Sequence, residues 1–482
     1  MPGRESDGVI VPRNRRTTQP PGGKDPCFNR EPEGGTHESM GDELNHSDDK
    51  VRELQRALYR AAKGSGTRRF HALYDRIYRE DILTEAWRRV RRNKGAGGVD
   101  GQTLADIEKM GEAAFVRDLQ ERLRTKRYRP SPVRRVYIPK GDGGRRPLGL
   151  PTVRDKVVQM ATKIVIEPIF EADFLEVSFG FRPRRSAHQA LERIRERMNA
   201  GYVWILDLDI RAYFDSINHE RLMGRVSLRI SDRRVLSLIR GWLKAGVVEE
   251  GRLSRSEIGT PQGGVVSPLL ANIYLHALDQ HWETRCRRLG VLVRYADDAV
   301  VLCKTEADAR AAEREIRAVL AALGLELHPE KTRIVNTGGG EGGFDFLGFH
   351  VRRIRSAKSS GTYRTHLHPS GKAMNSIRAK VRELTQPPYR RPLPLEKTVA
   401  EINRVLRGWW AYFRVGNGSR QAALLRRYIH EQLALLDSKK HARYGRDWGR
   451  HPDAWFRSLG VIPLHVIWFR MLPAGAGSAS HR

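Results

Sequence analysis

Three carboxylates stand apart from their surroundings. Asp209 closes the apolar run YVWILDLDI (Tyr202 to Ile210), and Asp297 and Asp298 lie between VLVRYA and AVVLCK, 88 positions further on (209 to 297). Carboxylates brought together at strand ends repel one another unless a hard divalent cation neutralises them. Mg²⁺ suits such a site because it takes oxygen ligands and leaves positions for phosphate and water. Two such ions about 4 Å apart stabilise the attacking and leaving oxygens of an in-line phosphoryl displacement. A lone Asp-Asp at a hairpin tip is more often an ordinary turn, so its neighbours decide. Asp207 shares a strand face with Asp209 but sits further from the strand end, so it ranks as a minor or structural acid; Asp215 competes by proximity alone.

Other groups fit the same chemistry. Lys140 and Arg146 flank the Gly-rich GDGGR, a pairing that can clamp a triphosphate, Arg bidentately and Lys as a point charge. The plainer reading is a solvated basic hairpin. GGGEGG (Gly338 to Gly343) has no GK[ST] after it and is a hairpin loop, not a phosphate cradle. The chain of 482 residues carries 87 Lys+Arg against 56 Asp+Glu, a net charge of +31, which makes a polyanion the expected partner. Three cysteines rule out a disulfide scaffold and a four-cysteine zinc site, and no HExxH or comparable ligand spacing occurs among the 16 histidines. A catalytic metal should therefore have oxygen ligands, and a reducing cytosol is the expected compartment. No run approaches the roughly 18 apolar residues of a membrane span, and the N-terminus lacks a secretory h-region.

These groups need elements to hold them. Residues 1 to about 50, rich in Pro, Gly, Ser and charge, read as a disordered arm. Helices follow over 51–92, then the loop NKGAGGVDG (Asn93 to Gly101), then one amphipathic helix through Ile107, Phe115, Leu119 and Leu123. Tyr128 to Val153 reads as strand, turn, strand; 156–174 as a helix; 202–210 as a strand. Ser267 and Pro268 look like the N-cap and N1 of a helix. Val291 to Lys304 is a hairpin, Ala307 to Leu323 a helix, and LELHPEKTRIV a further strand–turn–strand. Composition changes near Arg352, so a boundary is expected within 352–370, followed by basic helices (369–385 and 395–417) whose aromatics Trp409 and Phe413 are expected mainly in a bundle core.

The ordered motifs resemble those of group II intron reverse transcriptases/maturases. YADD (Tyr295 to Asp298) resembles the catalytic box and DIRAYFDSI (Asp209 to Ile217) the first palm motif. GTPQGGVVSPLLANIYL (259–275), RRVYIPKGDGGRRPLGLPTVRDKVVQ (134–159), SFGFRPRRSAHQAL (178–191), HPEKT, FDFLGF and NKGAGGVDG match further blocks in order. The likeness covers about 85–350, and more weakly 365–440, where GWWAYF resembles a maturase signature. It implies an α+β right-hand polymerase with an antiparallel palm sheet and a helical thumb/maturase (X) region: fingers with an N-terminal extension at 51–200, palm at 201–352, thumb/X at 365–440 and a tail at 441–482. It implies two Mg²⁺ held by Asp209, Asp297 and Asp298, the last the weakest ligand, and dNTP substrates contacted by Lys140, Arg146, Gln262, Ile210 and Phe214. Phe214 would be the gate against a ribose 2′-OH, Lys331 of HPEKT a general acid for pyrophosphate, and FLGF (Phe346 to Phe349) the primer grip. The implied partners are intron RNA, an RNA template with a DNA or RNA primer, and target DNA, with no membrane. The tail is too short for the HNH endonuclease of some relatives. Rival readings are a splicing cofactor with a dispensable polymerase and a domesticated enzyme of defence or repair; Phe214 disfavours an RNA-dependent RNA polymerase.

Overall fold

The computed structural model describes residues 39–139, 144–254, 259, 263–356 and 361–464. The N-terminal part is helical: α1 (Ser39–Lys63), α2 (Tyr74–Ile77), α3 (Glu80–Arg92), α4 (Leu104–Met110) and α5 (Glu112–Arg124). Strands β1 (Val133–Pro139) and β2 (Arg145–Leu150) lead to α6 (Val153–Glu171) and α7 (Ala187–Asn199). Then come β3 (Trp204–Leu208), α8 (Tyr213–Ser216), α9 (His219–Ser227), α10 (Arg233–Lys244), β4 (Val247–Glu249), β5 (Arg252–Ser254), α11 (Ser267–His281), β6 (Val291–Tyr295), β7 (Asp298–Cys303) and α12 (Glu306–Ala322). The remainder is β8 (Arg333–Asn336), β9 (Gly343–Phe346), β10 (Phe349–Arg355), β11 (Tyr363–Pro369), α13 (Gly371–Thr385), α14 (Leu395–Phe413), α15 (Ser419–Lys440) and α16 (Asp453–Ser458).

The central sheet has the order β6-β7-β3-β8, and all its pairs are antiparallel. Both faces are covered. Leu206, Leu208, Ala299 and Val301 face a core shared with α6, α11 and α12. Ile205, Val293, Val300 and Leu302 face a second core, built with α7, the β9–β11 sheet and the C-terminal helices. A strand buried on both faces reads as a continuous apolar run, which is why YVWIL and AVVLC do not alternate. Helices α6 and α11 are buried almost all round and run through the interior, α6 with Asp155, Lys156 and Gln159 among its buried residues. A second sheet, β2-β1-β4-β5, carries the fingers hairpin, and a third has the order β11-β10-β9.

Several expectations need correction. α1 starts at Ser39, inside the stretch assigned to the disordered arm; the amphipathic pattern of Val51, Leu54 and Leu58 is extended N-terminally because adding a turn to an existing helix costs far less than nucleating one. The single helix through Ile107 and Leu123 is two, parted at Gly111 (φ +97°), the first started by a capping box between Thr103 and Asp106. Ser267 is the first helical residue of α11, and the N-cap is Val266. Of LELHPEKTRIV only β8 is a strand; Leu327 makes a single bridge to Ile210. The 352–370 stretch, expected to hold a boundary, is occupied by the antiparallel pair β10–β11, seven register pairs from Phe349↔Pro369 to Arg355↔Tyr363.

Candidate active site

The register of the central sheet brings the distant acids together. β3 and β7 are neighbours, paired from Trp204↔Cys303 to Leu208↔Ala299. Carried one residue further, this register sets Asp209 across from Asp298, where side chains of an antiparallel pair stand about 5 Å apart. Asp297 occupies the adjoining turn, behind Tyr295↔Asp298. Ala296 starts that turn at φ +60°, a left-handed conformation that a residue with a Cβ adopts only when its surroundings hold it there.

The charges of the two turn acids act in different directions. Asp297 acts on Arg294 and Tyr213. Burial, then the charge of Asp298, raises the Tyr295 hydroxyl, and burial, Tyr295 and Asp298 together push the Tyr412 hydroxyl far up. Asp209 is anchored by main-chain contacts with the HPEKT turn: its carbonyl accepts from His328 N (2.7 Å). Lys331 Nζ stands 3.7 Å from its carboxylate. Asp207 is fully buried on the second-core side, 3.4 Å from Arg333 Nε, which fits the structural role given to it.

Other residues named from the sequence divide. Phe214 is half-buried against the first core, edge-on to Tyr213 (5.3 Å), on α8, which Ala212 (φ +45°) turns away from β3. Arg146 pairs with Ile138 across the fingers hairpin; partial burial raises the Asp215 carboxyl, while Arg135 and then Arg146 pull it down, so Arg146 is within electrostatic reach of the first palm motif. The Ile210 side chain is buried. His328 N bonds Asp209 O and Arg211 N bonds Glu326 O, so the N–H and C=O of Ile210 itself point away from Leu327. Lys140 and Gln262 lie outside the described residues. Phe346 and Phe349 are buried in the second core, joined by Leu347 (φ +50°) and Gly348 (φ +77°), the double positive φ of a tight hairpin turn. Trp409 and Phe413 are core residues; the Phe413 ring lies tilted against both Phe349 (4.8 Å) and Trp409 (4.9 Å). Arg404, Arg407 and Arg414 are exposed.

Sequence reasoning missed what supports the YADD turn. Arg294 is wholly buried; its Nε and NH2 donate to the carboxylate of buried Asp279 on α11 (2.8 and 2.5 Å), and its NH1 donates to Asn272 Oδ1 (3.1 Å) and to the carbonyl of Ala296 (2.8 Å). Burial disfavours both charges, but each partner's charge and hydrogen bonds outweigh it, so the Asp279 carboxyl is lowered and the guanidinium raised. From the fingers side, Phe179 N bonds Arg294 O, and Arg294 N bonds Val177 O (both 2.8 Å). Gly180 lies so close that a Cβ there would stand 2.3 Å from Ala296 N, and its carbonyl accepts from Asn272 Nδ2 (2.8 Å). A signal for this was present: a cation inside the apolar VLVRY demands a buried partner.

A four-stranded antiparallel palm carrying acids on adjacent strands, flanked by a fingers hairpin and a helical bundle, defines a right-hand polymerase, a divalent-metal-dependent nucleotidyltransferase. Residues 138–351 match the family described as reverse transcriptase (RNA-dependent DNA polymerase), and 374–455 match the group II intron maturase-specific domain. Protein YkfC of Escherichia coli K12 is 36% identical over 346 residues, covering 64% of this chain and 89% of that protein. The group II intron-encoded protein LtrA of Lactococcus lactis is 42% identical over 214 residues, 44% of this chain but only 35% of its own length. A 91 kDa protein in the cob intron of Schizosaccharomyces pombe is 38% identical over 216 residues, covering 26% of it. The chain belongs to the group II intron reverse transcriptase/maturase family.

Proposed function

We propose that this chain copies RNA into DNA in the cytosol from a DNA or RNA primer, and that its basic C-terminal helices bind the parental intron RNA and assist splicing and insertion into target DNA. What supports the polymerase reading is the β3–β7 register, which runs to Leu208↔Ala299, one residue short of Asp209 and Asp298. The donor set fits a hard cation: carboxylate oxygens at strand ends, with Asp209 still 16% exposed at its side chain. Asp209 and Asp297 would hold two Mg²⁺, with Asp298 the weaker ligand, supplying Lewis acidity for attack of the primer 3′-hydroxyl on the α-phosphate of a dNTP.

The chain's own groups do the rest. Arg146, with Lys140, neutralises the triphosphate. The main chain of Ile210 and the side chain of Gln262 contact the nucleotide, and the Phe214 ring occupies the volume a ribose 2′-OH would need. Lys331 donates a proton toward the leaving pyrophosphate. The exposed Arg404, Arg407 and Arg414 meet RNA phosphates, an interaction that weakens steeply with salt. The test is Asp297→Ala with Asp298→Ala: primer extension falls to background while intron RNA binding persists. Retained extension removes the catalytic assignment, and joint loss of both activities would show that the acids serve folding.

A further inference from the structure

Three chemically different donors converge away from the palm carboxylates. His281 ends α11, and the chain continues through a π-helical turn, Trp282–Cys286. In a π turn the hydrogen bonds run from i to i+5, so His281 and Cys286 share a side. Glu315 comes from α12. Its Oε2 lies 3.1 Å from His281 Nε2 and 3.9 Å from Cys286 Sγ, and the three ligand atoms all fall within 4.8 Å of one another. Zinc bonds of roughly 2.0–2.3 Å give a tetrahedron with edges of about 3.4–3.7 Å, so both contacts to Glu315 are within a few tenths of an ångström of that geometry.

The chemistry of the set selects the ion. An imidazole, a thiol and a carboxylate suit Zn²⁺, whereas Mg²⁺ takes oxygen ligands. Cys286 is 1% exposed, and the side chains of His281 and Glu315 are 23% and 49% exposed. The sulfur is thus shielded while the outer side stays open to a water as fourth ligand. Burial and then the charge of Glu315 push the Cys286 thiol up, with Arg288 and Arg285 only partly offsetting them, so it is metal binding that displaces the proton.

We propose that His281, Cys286 and Glu315 form a three-ligand Zn²⁺ site, completed by water, that ties the end of α11 to α12, separate from the oxygen-liganded catalytic ions. On binding, the Cys286 S–H proton passes to solvent as the Zn–S bond forms. The full chain, in a Cys27→Ser background, is stripped with chelator, returned to excess Mg²⁺ and titrated with Co²⁺ as a spectroscopic probe. One Co²⁺ per chain binds with a thiolate-to-cobalt charge-transfer band, and Zn²⁺ displaces it. Cys286→Ser abolishes the band, and Glu315→Gln, a change at a half-exposed carboxylate, weakens Co²⁺ binding at least tenfold. Zn²⁺ raises the melting temperature of the parent and leaves that of Cys286→Ser unchanged. Absence of the band at one equivalent, or its survival in Cys286→Ser, would reduce the cluster to an ion pair and overturn the proposal.

Discussion

Replacing Arg294 by Met tests whether the catalytic turn rests on the buried ion pair. Met fills much of the arginine's volume but leaves Asp279, with no exposed surface, only His276 Nδ1 at 3.8 Å as a charged partner among the described residues. Stranding one member of a buried pair costs about 3–5 kcal/mol. At roughly 2–4 °C per kcal/mol, unfolding should come about 6–20 °C earlier. Replacing Asp279 by Leu as well removes the stranded charge, and buried pairs exchanged for apolar groups are commonly neutral or better. The double variant should therefore melt near the parent temperature. Its activity should not return, because Arg294 also donates to the Ala296 carbonyl at 2.8 Å and so holds a left-handed residue beside Asp297. Thermal unfolding and single-nucleotide primer extension on parent, both single variants and the double variant separate the two effects. Unaltered melting of Arg294→Met, or full extension by the double variant, would refute the reasoning.

Gly180→Ala forces a methyl to 2.3 Å from Ala296 N; overpacking of about 1–3 kcal/mol is expected, with primer extension falling more than intron RNA binding. Phe214→Ala should raise ribonucleotide incorporation, and an unchanged dNTP/rNTP ratio would refute the gate. His451 is buried, its Nδ1 donating to the Arg446 and Asp447 carbonyls (2.8 and 2.9 Å) and its Nε2 3.0 Å from Asp437. Burial opposes its charge, but Asp437 and the two carbonyls prevail, so its pKa is raised. Stability from this group is complete below the unfolded value of about 6.5 and is lost as pH rises through the higher folded value; melting curves from pH 6 to 9 should show this decline in the parent and not in His451→Gln.

The chemistry was legible where it sits in short strings. Asp209, Asp297 and Asp298 each interrupt an apolar run, and the two-faced burial of the central sheet is written in YVWIL and AVVLC. What joins them was not legible, because register is a relation between strands 88 positions apart. The Arg294–Asp279 pair was half-visible, since the cation in VLVRY announces a partner without naming it. β11 was hidden because TYRTHLHP carries charge and histidine on one face and only Thr365, Leu367 and Pro369 inward. The five-residue step from His281 to Cys286 means nothing on an α-helix and acquires meaning only through the π turn.

One strand bears on how such proteins can be recombined. The matches to the two families end at 351 and resume at 374, and β11 (Tyr363–Pro369) falls in the gap, claimed by neither. Yet it forms the edge of the sheet that contains Phe349, and Leu367 is bonded at both its N–H and C=O by Asn417, just past α14. The polymerase and maturase regions match two separate families but are joined by a strip of backbone that packs with both. An exchange of C-terminal modules between relatives would keep its fit only by carrying this strip along. Fragments divided at 351 and 374 would keep the catalytic boxes and the maturase signature and lose the joint.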